Sequence, residues 1–105
     1  QPKFVTRKKI EGDYIYLDKL KNIKKLDNKI IVIENADPGY DWIFAYKILG
    51  LVTKFGGINS HMAIRCSELS IPAVIGCGEQ IFSDIISDQK KEIFIDCSAS
   101  LIYSN

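Results

Sequence analysis

A single histidine stands in this sequence, His61, and its neighbours are of the kinds that handle a phosphoryl group. Gly56 and Gly57 precede it, and glycines let a ligand approach the backbone closely. Asn59 and Ser60 are both residue types that cap the start of a helix, and residues 62–69 have helical patterning. His61 therefore falls on the first turn of a helix, where backbone N–H groups lack intrahelical acceptors and the dipole favours anions. Histidine changes charge near neutral pH, so a neutral ring nitrogen is available as a nucleophile. A phosphoryl group carried on that nitrogen would divide one difficult transfer into two easier ones. On composition alone a lone histidine reads as a surface residue or a hydrogen-bonded core residue, and it is the position of His61 that argues for chemistry.

The other candidates are weaker. Arg65 lies one helical turn beyond His61, on the same face, and helical side chains lean toward the N-terminus. It is either a cation aimed at the phosphoryl group or a solvated surface charge. Cys66 falls elsewhere around that helix and is expected to face the core. Cys66, Cys77 and Cys97 form no CxxC pair and have no second histidine beside them, so neither a zinc site nor a disulfide framework follows. Three reduced thiols of a cytoplasmic protein are the simplest reading. Trp42 and Tyr46 sit at helical spacing and read as core. No base that would assist His61 is evident in the sequence around it.

Residues 4–9 and 13–17 have the content of short strands, with Gly12 between them, and residues 19–28 fit a helical turn or a polar loop. The run Ile30, Ile31, Val32, Ile33 predicts a buried central strand over 29–34. Asp37 before Pro38 caps a helix that uses Trp42, Ile43, Ala45, Tyr46 and Leu49 as one face and stops at Gly50. Strand 50–55, a helix over 60–70 and strand 72–75 follow, since Pro72 biases Ile71 out of helical geometry. Gly76 and Gly78 make a turn, 79–86 is helical, and 91–95 pairs with 101–103 around the bend 96–100. The alternation of strand and helix between 29 and 75 predicts parallel strands.

Net charge is +1, which gives no strong attraction to nucleic acid or membrane. Its distribution is uneven: residues 1–29 hold nine Lys/Arg against four Asp/Glu, or +5, and 30–105 hold five against nine, or −4. The basic part reads as a solvated face, with contact to a nucleotide-binding partner as the alternative. No apolar run reaches the roughly 20 residues of a spanning helix. One domain, 1–105, is expected, with a basic N-terminal part (1–29) and a core (30–105), as a piece of a larger multidomain enzyme.

At Gly56, Gly57, Ser60, His61, Ala63, Ile64, Glu68, Leu69, Ile71, Pro72, Ala73, Val74 and Gly76 the sequence resembles the phosphohistidine, or swivelling, domain of the PEP-utilising enzymes. That family includes phosphoenolpyruvate synthase, pyruvate phosphate dikinase, enzyme I of the sugar phosphotransferase system and antibiotic phosphotransferases. Two departures stand out. Asn59 replaces a common threonine, and Cys66-Ser67-Glu68-Leu69 lacks the usual arginine, which Arg65 would replace.

The resemblance implies a single swivelling β/β/α domain of α/β class, with a central mostly parallel sheet, flanking helices and a terminal hairpin. It implies that His61 takes the β-phosphoryl of ATP, releasing AMP, and hands it to an acceptor that is pyruvate by default. Gly56, Gly57, Asn59, Ser60 and Arg65 would position the phosphoryl group. No metal or cofactor is expected on this domain. ATP and magnesium would belong to the parent enzyme, with an ATP-grasp nucleotide-binding domain and an acceptor-substrate domain of the same polypeptide as partners. Alternatives are an amide-nitrogen or hydroxyl acceptor, phosphate passed from PEP to a carrier protein as in enzyme I, and a non-catalytic interaction module.

Overall fold

A computed structural model describes residues 2–17, 25–87 and 92–104. The elements run β1 (Lys3–Val5), β2 (Lys9–Tyr16), β3 (Ile30–Asn35), a 3-10 helix (Pro38–Ala45), β4 (Gly50–Phe55), α1 (His61–Glu68), β5 (Ala73–Ile75), α2 (Gly78–Ser87), β6 (Glu92–Asp96) and β7 (Leu101–Ser104). The seven strands form one sheet in the order β1-β5-β4-β3-β2-β6-β7.

β3 lies at the centre because it is apolar on both faces. Its side chains alternate, so Ile31 and Ile33 enter one core with Ile43 of the 3-10 helix and Met62, Ala63 and Cys66 of α1. Ile30 and Val32 enter the other, with Phe82 and Ile85 of α2 and Ile93 and Ile95 of β6. The 3-10 helix and α1 thus pack on the same face of the sheet, which brings their exposed edges together.

The architecture is mixed α/β, and the expectation of a mostly parallel sheet is corrected. β2, β3, β4 and β5 form a parallel ladder. β1 joins β5, β6 joins β2 and β7 joins β6, all antiparallel. The parallel ladder is confined to β2 through β5, which follow one another through connections long enough for crossovers. The outer strands find partners far away in sequence, as Lys3 opposite Ile75 illustrates.

Several boundaries also move. The break between the first two strands falls at Thr6 to Lys8, where Thr6 has φ 70° and the Lys8 amide donates to the Thr6 carbonyl, and β2 continues through Gly12. Gly12 is paired with Ile93 of β6, and Leu49 packs 2.7 Å from where its Cβ would be, so a residue without a side chain fits the strand there. The helix after Asp37 is 3-10 and ends at Ala45, and Gly50 opens β4 instead of stopping the helix. Ala45 is exposed and Leu49 packs in the opposite core, so the expected five-residue face is reduced to Ile43 with the half-buried Trp42 and Tyr46. Residues 19–24 of the expected helical turn or loop at 19–28 lie outside the described residues. Among the described residues, no helix is long and apolar enough to cross a membrane.

Candidate functional site

Thr53 is the one buried polar residue of β4, and it fixes the ground beneath the site. Its hydroxyl accepts from the Gly76 amide at 2.9 Å, and its carbonyl accepts from the Cys77 amide at 2.8 Å. The loop after β5 is thereby held against the end of β4. At the crossing, Gly56 has φ 130° and Gly76 has φ 69°, and a Cβ on Gly76 would lie 2.4 Å from the Gly56 carbonyl oxygen. Two backbones in contact set the direction in which the chain leaves β4. Gly57 differs, with nothing within 4 Å of where its Cβ would be.

The chain then enters α1 through a closed turn. The Ser60 amide donates to the Gly57 carbonyl at 3.0 Å, and the Ser60 hydroxyl accepts from the Ala63 amide at 3.2 Å. Ser60 is therefore the cap and His61 the first helical residue, with Met62, Ala63 and Cys66 turned into the core. His61 is left at the surface, its side chain 41% exposed. The sequence assigned capping to Asn59 or Ser60, and the structure selects Ser60. Asn59 lies exposed on the turn, outside the hydrogen-bonded set around His61.

That set contains a residue the sequence reading missed, Asp41. It comes from the 3-10 helix, whose start is fixed by the Asp37 carboxylate accepting from the Gly39 amide at 2.8 Å and whose middle is anchored by the buried Ile43. One carboxylate oxygen, Asp41 Oδ1, lies 2.8 Å from His61 Nε2 and 3.2 Å from Arg65 Nε. A carboxylate only accepts, so both nitrogens donate to the same oxygen. The His61 hydrogen bond, with help from the hydrogen bond and charge of Arg65, holds the Asp41 carboxyl below the usual carboxylate range. Arg65 is further placed by Glu68 Oε1, 3.7 Å from its Nη1, and by the Phe44 ring, 5.2 Å from the guanidinium carbon.

His61 and Arg65 thus share a face as expected, with Asp41 between them. No local signal announced it, because the contact spans twenty residues and depends on two elements meeting over one core. Cys66 points inward, and burial pushes its thiol up to about 12, so it takes no part as a nucleophile near neutral pH. Among the described residues, no group of three or more His, Cys, Asp or Glu side chains is placed to hold a metal.

Residues 25–100 match the family model described as PEP-utilising enzyme, mobile domain. The chain is 34% identical over 80 residues to a probable phosphoenolpyruvate synthase of Staphylothermus marinus, which covers 73% of this chain and 9% of that protein. It is 34% identical over 67 residues to the rifampicin phosphotransferase of Bacillus cereus, covering 64% of this chain and 8% of that one. With the phosphoenolpyruvate synthase of Escherichia coli the identity is 42% over 50 residues, or 48% of this chain and 6% of the relative. The chain spans less than a tenth of the length of these relatives. It belongs to the mobile-domain family of the PEP-utilising enzymes.

Proposed function

We propose that this chain is the phosphohistidine carrier domain of a phosphotransferase, with His61 as both acceptor and donor of the phosphoryl group. The observation that carries the reading is the placement of His61 at the first, exposed position of α1, on a glycine-lined turn, in a member of this family. First-turn amides and the helix dipole favour the anion there. Gly57 adds room, since nothing in the fold fills the space its side chain would take. Gly56 acts on the backbone path, Ser60 on the helix start, and Arg65 supplies the nearby cation.

In the leading form of this reading the donor is ATP. A ring nitrogen attacks the β-phosphorus and forms the N–P bond while the bond to AMP breaks. Balance then requires the γ-phosphoryl group to leave as inorganic phosphate with water as its acceptor, so that the β-phosphoryl stays on the nitrogen. Magnesium would be bound with the nucleotide by partner domains, and no step here passes through it. The acceptor is pyruvate in the synthase-like form. The Bacillus cereus relative bears rifampicin in its name, which supports a second reading with a different small acceptor.

Full-length protein is incubated with β-labelled ATP, γ-labelled ATP or labelled phosphoenolpyruvate. Acid-labile label is expected on the protein from the β-position and not the γ-position, and none on the His61→Asn variant. Label from phosphoenolpyruvate alone would favour the enzyme I-like form, and no label from any donor would sink the carrier reading.

A further inference from the structure

The contact between Asp41 and His61 raises a problem for any carrier reading. Nε2 is the ring nitrogen that faces Arg65, through a single oxygen that touches both groups. A phosphoryl group on Nε2 replaces its N–H with an N–P bond along the same line, and Asp41 Oδ1, 2.8 Å from Nε2, stands in the space the group must take. Two anions do not share that place.

We propose that Asp41 is a stand-in for the phosphoryl group. In the unphosphorylated protein its carboxylate holds Nε2 and Arg65 at the point the phosphoryl oxygens will take, and phosphorylation replaces one anion with the other. The inference rests on His61 being the phosphoryl acceptor.

The surroundings suit an exchange of this kind. Arg65 keeps two supports when Asp41 leaves, the Phe44 ring beneath its guanidinium and Glu68 at Nη1, so its Nε–H stays aimed at the vacated point. The 3-10 helix keeps its place through the buried Ile43, so the change is a rotation of one exposed side chain. With Asp41 bound, Nε2 carries its hydrogen and its lone pair is not available. Release of Asp41 lets that proton pass to solvent while Nδ1 takes one up. The Nε2 lone pair then forms the N–P bond as the donor's bond to its leaving group breaks. The carboxylate thus keeps the nucleophile at rest and ordered, and an incoming phosphoryl group competes for the same donors.

Phosphoramidate tests this without help from partner domains, because it phosphorylates a histidine nitrogen directly and loses ammonia. Full-length wild-type protein and the Asp41→Asn variant are compared for the rate of phosphohistidine formation at His61, the nitrogen bearing phosphorus by 31P NMR, and the Arg65 Nε–H resonance before and after phosphorylation. Removing one negative charge beside an anionic donor should speed formation about fivefold. Phosphorus should sit on Nε2. The Arg65 Nε–H resonance should move on phosphorylation and take the same position in both proteins, since Asp41 is absent from the phosphorylated site. A slower or unchanged rate in Asp41→Asn, phosphorus on Nδ1, or an Arg65 resonance that does not respond would each overturn the stand-in role while leaving the carrier reading intact. If phosphoramidate, labelled ATP and labelled phosphoenolpyruvate all leave His61 bare, the carrier reading fails and takes the stand-in role with it.

Discussion

Gly57 and Gly76 show how differently neighbouring glycines are used around His61. A side chain on Gly76 would meet the Gly56 backbone at 2.4 Å in a conformation with φ 69°, and backbone cannot give way as a flexible side chain can. Gly76→Ala should therefore destabilise the protein by about 1–3 kcal/mol or more, read as a lower midpoint in thermal unfolding. Gly57→Ala should leave that midpoint nearly unchanged, since its Cβ would meet nothing. If Gly57→Ala also lowers phosphohistidine formation in the full-length protein, its room is used by the phosphoryl group or its donor. An equal loss of stability in both variants would contradict the geometry.

At the scale of elements, α1 is short, so its first turn matters more than its propensity. The Ser60 hydroxyl serves the Ala63 amide and sets where helical geometry begins, which is what places His61 at the first position. Ser60→Ala should cost about 1 kcal/mol of stability. It should also loosen the first turn, seen as faster hydrogen exchange at the Ala63 amide, whereas Ser60→Asp should restore both. The facing element is held independently, by the Asp37 cap at its start and Ile43 in its middle, so the Asp41 contact should survive loss of the Ser60 cap. On the other face of the sheet, Lys54 Nζ reaches Glu79 Oε1 at 2.6 Å and lies near the Phe82 ring, tying α2 to β4.

For the whole molecule, the two cores on opposite faces of the sheet each hold a buried thiol beside α1 or α2. Burial pushes Cys66 up to about 12 and Cys77 up to about 11, from an ordinary thiol value of 9.0. A raised pKa in the folded state means that these thiols stay protonated there while the unfolded chain ionises. Their contribution is complete below about pH 9 and is lost as pH rises through 11 and 12. Denaturation midpoints should therefore fall above pH 9, and fall less steeply in a Cys66→Ala, Cys77→Ala double variant. An identical pH slope in the parent and the variant would show that the thiols do not contribute.

Much of this protein is legible in its residues because the forces involved are local. The run Ile30 to Ile33 can only be satisfied in a two-sided core, Asp37-Pro38 caps and starts a helix, and Pro72 ends the next one. The glycine pair, Ser60, His61 and Arg65 lie within one turn-and-helix unit, so their proximity follows from backbone geometry alone. What required the tertiary structure was every contact that joins distant segments. The antiparallel outer strands, the place of Gly12 and Gly50 within strands, and the crossing of Gly56 with Gly76 all depend on which surfaces meet. Asp41 is the clearest case. It is an unremarked acidic residue in the sequence, and it reaches His61 and Arg65 only because the 3-10 helix and α1 pack side by side on one face of the sheet.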